Sequence, residues 1–90
     1  MNYIFTSHAI QRMFEREIKE SDVIAVINSG EIIQEYIGDK PFPSKLVLGF
    51  IKKRAIHVLF ALNKSENQCI IITVYEPSPT IWRQDFKERG

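Results

Sequence analysis

Only one cysteine, Cys69, occurs in the 90 residues. No disulfide can close within the chain, and so sparing a use of thiols fits a reducing compartment. Long apolar runs are missing too. The longest, residues 58–62 and residues 70–74 with Thr73 inside, fall far short of the ~20 residues a membrane-spanning helix needs. The N-terminus, Met1-Asn2-Tyr3-Ile4-Phe5, has no basic start, no long apolar stretch and no small-residue cleavage site, so it does not read as a secretory signal. These absences predict a cytoplasmic protein with no membrane partner. There is no internal repeat, low-complexity tract or linker, and residues 1–90 read as a single domain. A phosphate-cradling glycine loop and a GxSxG turn are also lacking. His8, His57 and Cys69 are the strongest nitrogen and sulfur donors, and no two have the short spacing of a zinc motif. Neither a metal nor a cofactor is expected. Nor is one sign of charge in excess: 12 Lys and Arg against 11 Asp and Glu leave a net charge of +1. A nucleic-acid partner would therefore depend on local clusters rather than on an overall basic field.

What the chain does contain is an ordered change of period. Thr6 or Ser7 can cap a first helix, and from His8 to Lys19 the residues Ala9, Ile10, Met13, Phe14 and Ile18 share one side. His8, Arg12, Glu15 and Lys19 form the opposite stripe, with Arg16 on its border. A second helix starts at the cap Ser21, has Asp22 against its N-terminal dipole, and ends at Gly30, where glycine suits a left-handed residue. After Gly30 the period becomes 2. Strands are predicted over 31–36, 45–51, 54–63 and 68–76, with Lys52-Lys53 as a hairpin turn and Asn67 able to take positive φ in the next loop. The run Pro41-Phe42-Pro43-Ser44 reads as a loop. The stretch from Thr80 to Arg89 reads as a short tail, or as one helical turn or more, around Trp82 and Phe86. Two helices followed by a meander predict an α+β fold, with both helices packed on a mostly antiparallel four-stranded sheet.

Polar residues at strand positions stand out within this layout. Ile56, Val58, Phe60 and Leu62 form one face of their strand and His57 lies on the other. In the last strand Ile70, Ile72 and Val74 share a face, opposite Ile71, Thr73 and Tyr75. A hairpin centred on Glu66 pairs His57 with Tyr75 and Leu59 with Thr73, which places a His57, Thr73 and Tyr75 patch on one side. The aliphatic side is then the main core. His8, one turn before Arg12, is a combination suited to RNA cleavage. A neutral imidazole can take the proton from a 2′-hydroxyl, and a guanidinium can hold the phosphate and its developing charge. Tyr75 can orient the phosphate or protonate the leaving oxygen. Lys53 and Arg54, in the positive Lys52-Lys53-Arg54 cluster, join the candidate substrate-binding residues. Each has a plainer reading beside it. A first-turn histidine commonly caps or is solvated, a strand histidine commonly bonds a neighbour, and Lys52-Lys53-Arg54 is simply a solvated hairpin tip. Arg12 and Arg16 make ordinary i, i+3 or i, i+4 pairs with Glu15 and Glu20, worth about 0.3–0.5 kcal/mol each.

Several blocks resemble a widespread bacterial family known as a domain of unknown function. They are Phe5-Thr6-Ser7-His8-Ala9 with Arg12-Met13 and Glu15-Arg16, then Gly30-Glu31-Ile32-Ile33 and Tyr36. They continue through Asp39-x-Pro41-x-Pro43-Ser44-x-Leu46-Val47-Leu48-Gly49 and Ile56-His57-Val58 to Ile72-Thr73-Val74-Tyr75-Glu76-Pro77-x-Pro79 with Trp82 and Phe86. That family is similar to the barnase–EndoU–colicin–RelE-like nucleases, many of them toxins. The resemblance implies a metal-independent endoribonuclease of the toxin type, RNA as substrate and a cognate antitoxin as partner. It implies a candidate site of His8, Arg12, Arg16, His57, Thr73 and Tyr75. Ser78, where relatives tend to carry an acid, and Lys52-Lys53-Arg54, in place of a more glycine-rich turn, are departures confined to loops. A non-catalytic protein- or RNA-binding module is the alternative. A dimerising domain is a third reading, which an exposed patch around Phe42, Ile81 and Trp82 would favour.

Overall fold

The computed structural model describes residues 1–89. Its elements are β1 (Asn2–Phe5), α1 (Ser7–Arg16), α2 (Glu20–Ser29), β2 (Glu31–Tyr36), β3 (Ser44–Ile51), β4 (Arg54–Asn63) and β5 (Gln68–Tyr75). All five strands make one sheet in the order β1-β5-β4-β3-β2. The expected four-stranded antiparallel sheet is thus corrected to a five-stranded mixed one. The unforeseen strand β1 pairs parallel to β5, with Tyr3 opposite Cys69 and Phe5 opposite Ile71. Four residues at an edge are too few to show an alternation, and their partner lies at the far end of the sequence.

Thr6 caps α1, its hydroxyl accepting from the Ala9 N–H at 3.0 Å and donating to the Ile72 carbonyl at 2.9 Å. One side chain therefore starts the helix and ties it to β5. The helix stops at Arg16, before the expected Lys19, because Glu17 turns left-handed (φ 56°) and its N–H closes onto the preceding turn. α2 is preceded by Lys19 and not capped by Ser21: the Asp22 carboxylate reaches back to the Lys19 N–H at 3.1 Å. Gly30 ends α2 as expected, though in an extended conformation (φ −79°, ψ 180°). What requires glycine there is space, since a Cβ would lie 2.5 Å from the carbonyl oxygens of Leu48 and Val26.

Both helices lie on one face of the sheet. Ala9, Met13, Ile18, Val23 and Val26 pack against Val47, Ile56, Val58, Phe60, Cys69, Ile71 and Val74 to form the core. Gly49 lets α2 approach, because a Cβ would meet both Val26 methyls at 2.8 Å. Ile71 and Cys69, not Ile70 and Ile72, share the core face with Val74. The ladder between β4 and β5 slips between Leu59 and Phe60, so Ile72 is an extra residue and the alternation reverses past it. The β4–β5 register otherwise agrees with expectation, with His57 opposite Tyr75 and Leu59 opposite Thr73. Lys52 and Lys53 both take positive φ in the hairpin turn, and Asn67 does so in the next loop. The tail after Tyr75 forms turns, not a helix. The Ser78 carbonyl accepts from the Ile81 and Trp82 N–H groups, and Trp82 and Arg89 make an isolated bridge. Among the described residues no helix is long and apolar enough to cross a membrane.

Candidate functional site

The sheet face away from the helices carries His57, Leu59, Thr73 and Tyr75, and the tail crosses part of it. His57 is 0% exposed. Its Nδ1 is 3.1 Å from the Tyr75 hydroxyl and its Nε2 is 2.7 Å from the Phe86 carbonyl. A carbonyl can only accept, so Nε2 carries the proton and donates, and Nδ1 accepts from Tyr75. Trp82 meets the imidazole edge-on with centroids 4.4 Å apart, and the Arg89 guanidinium sits 5.6 Å above the Trp82 ring. Burial holds the His57 pKa below its usual value, against the Phe86 carbonyl, which favours the charged form. Burial is also the main reason the Tyr75 phenol is pushed up. His57 is therefore a neutral, doubly bonded residue under the tail.

His8 is placed differently. It stands exposed in the first turn of α1, with Nε2 3.0 Å from Thr73 Oγ1. β1 ends its pairing at Ile71, so the next stretch of β5 has no strand beside it on that edge. The α1 N-terminus meets β5 there, which brings a helix histidine to a strand threonine. When Nε2–H donates to Thr73, Nδ1 keeps a free lone pair toward solvent. Arg12, one turn on, is exposed and 3.4 Å from Glu15, a surface pair of small energetic consequence.

Arg16 and Arg54 meet at the other end of α1. The Arg54 guanidinium donates to the Arg16 carbonyl at 2.8 Å and to Glu76 at 2.7 Å. Hydrogen bonding to Arg54 lowers the Glu76 pKa, and the same bond raises that of Arg54. This arginine clamps the end of α1 to the ends of β4 and β5, with one terminal nitrogen of its guanidinium making both bonds. Lys53 sits exposed at the hairpin tip beside it. The expected residues thus divide into three: His8, Thr73 and Arg12 on an open edge, His57 and Tyr75 in a covered pair, and Arg16, Lys53 and Arg54 at a distant corner.

A groove of about 370 Å³ opens on the same face, lined by Tyr36, Asp39, Leu46, Leu59, Tyr75 and Arg89. Leu59 pairs with Thr73, so the groove begins one strand spacing (~4.8 Å) from the residue that holds His8. The Ser44 hydroxyl donates to the Asp39 carboxylate, which fixes the loop between β2 and β3. The sequence singled out Tyr75 alone from this lining. A strand tyrosine and a loop aspartate carry no spacing signal, and only the register brings them together. No cluster of three metal-ligating side chains occurs among the described residues.

Residues 5–76 match the model of a family described as Domain of unknown function (DUF4258). The match spans both helices and strands β2–β5 and stops where the tail over His57 begins. No curated protein and no solved structure gives a significant match.

Proposed function

The chain belongs to the DUF4258 family, and we propose that it is a metal-independent endoribonuclease of the toxin type acting at the His8 edge. The observation that carries this reading is the exposed imidazole bonded through Nε2 to Thr73, with a guanidinium one helical turn away. His8 Nδ1 takes the proton of a ribose 2′-hydroxyl, and the 2′-oxygen attacks the adjacent phosphorus. The bond from phosphorus to the 5′-oxygen breaks, the leaving oxygen takes a proton from water, and the hydroxide so formed takes back the proton held by His8, restoring the neutral imidazole. The products are a 2′,3′-cyclic phosphate and a 5′-hydroxyl. Arg12 gives up its weak pair with Glu15 to hold the phosphate and its developing charge. Thr73 is a positioning residue: its hydroxyl, accepting from His8 Nε2–H, holds the imidazole with Nδ1 unprotonated and available as the base. A cognate antitoxin would act by covering this edge.

The covered state of His57 favours a second reading, a non-catalytic RNA-binding module. The expected second histidine has both ring nitrogens engaged, so a two-histidine acid–base pair is not at hand. Incubation with mRNA in a translating extract separates the two readings, since ribosomes are then present if the activity needs them. The expected result is mRNA fragments ending in 2′,3′-cyclic phosphate and 5′-hydroxyl, lost in His8→Ala. RNA retained by the protein but uncut supports the module instead.

A further inference from the structure

The groove between β2 and β5 has a chemistry that the cleavage step does not use. Tyr36 and Tyr75 bring aromatic rings to it, and Leu46 and Leu59 give it an apolar floor. Asp39 and Arg89 are its two charged residues, of opposite sign, and among the described residues neither forms an ion pair with the other or with any other side chain. The Tyr75 phenol, pushed up chiefly by burial, is raised further by Tyr36 and lowered by Arg89, so both lie within electrostatic reach of it. Tyr75 spends its proton on His57, so toward the groove its oxygen accepts. Asp39 has one carboxylate oxygen engaged by Ser44 and keeps the other free.

We infer that this groove holds a guanine base of the bound RNA, an assignment that rests on the RNA reading above. A planar ring suits a slot with tyrosines and leucines, because base–aromatic stacking is worth about 1–3 kcal/mol per base. Among the four bases, guanine alone sets two adjacent N–H donors, N1 and N2, apart from two adjacent acceptors, O6 and N7. The donors match a carboxylate and the acceptors match a guanidinium. Uracil has a single ring N–H and no exocyclic amine, so it leaves Asp39 under-used. Adenine and cytosine have the amine but no ring N–H beside it. Thr73 pairs with Leu59, so a base in the groove lies beside the phosphate that His8 and Arg12 address.

The test is a titration of the ¹⁵N-labelled protein with the 3′-monophosphates of guanosine, adenosine, cytidine and uridine, followed by amide shifts. The common phosphate cancels, and differences report the base. The guanosine nucleotide should shift Tyr36, Asp39, Leu46, Leu59 and Tyr75 and bind about 10-fold more tightly than the uridine one. Asp39→Asn should erase that preference. Because Asp39 also holds Ser44, Arg89→Gln on the exposed tail serves as a second variant and should weaken guanosine binding, with the spectrum of the free protein changed only around Trp82, over whose ring Arg89 sits. Equal affinity for all four nucleotides, or shifts confined to other parts of the molecule, overturns the assignment. Binding needs no cleavage. A protein that prefers the guanosine nucleotide here but cuts no RNA keeps the groove and loses the nuclease reading; the reverse outcome does the opposite.

Discussion

Two histidines in one small chain do different work, and their surroundings decide which does what. His57 is folded away neutral, so its contribution to stability has a definite sign with pH. Above its ordinary value of 6.5 the residue is neutral folded or unfolded, and the contribution is complete. Below it the unfolded chain takes up a proton that the folded one resists, until the lowered folded pKa is reached. Stability should therefore fall with acidification from about pH 6.5 at up to ~1.4 kcal/mol per pH unit. Glu76, whose pKa is lowered by Arg54, adds a further loss below its ordinary 4.5. Urea melts across that range check this. His57→Leu should flatten the upper part of the profile and cost about 2–4 kcal/mol, because Phe86 and Tyr75 lose their partner. His8→Ala, at an exposed position, should change stability by only about 0.5 kcal/mol or less. Cys69 is buried in the core with its thiol pushed up to about 11, so iodoacetamide at pH 8 should label it only after unfolding. The sequence picked out both histidines and the pairing of His57 with Tyr75. It could not separate their roles, because the residues that seal His57, Trp82 and Phe86, come from a tail without periodicity.

Local signals and long-range pairing account for what could be read at the scale of elements. The hairpin from β4 to β5 was legible because its turn is short and both strands alternate. β1 was not, since its partner is remote and its length is four residues. The bulge at Ile72 was hidden because Ile70, Ile71 and Ile72 are equally apolar, so no residue type marks the reversal. The glycines at 30 and 49 matter for a contact rather than a turn. Gly30→Ala should be costly, by about 2 kcal/mol or more in thermal melts, as the added carbon meets two backbone carbonyls that cannot swing away. Arg54→Gln frees the end of α1 from Glu76. With these side chains about one-third exposed, its cost should be only about 1 kcal/mol.

At the scale of the molecule, the helices close one face of the sheet and leave the other to the tail and the groove. That division puts the core and the proposed chemistry on opposite sides, joined at the β5 edge where Thr73 meets His8. The α+β class was legible, and so was the pairing that sets His57, Thr73 and Tyr75 on one face; that His8 meets this face at Thr73 was not, nor was the groove, because both exist only once the helix and strands β2, β3, β4 and β5 lie together. The central claim is that His8 cuts RNA on this edge. It is tested most directly by mapping new RNA 5′ ends after controlled induction in a bacterial host, with native protein and His8→Ala at matched folded levels. New ends and growth arrest with the native chain, both absent with His8→Ala, are the predicted result. Unchanged RNA in a healthy culture, or equal cutting by both proteins, would contradict it.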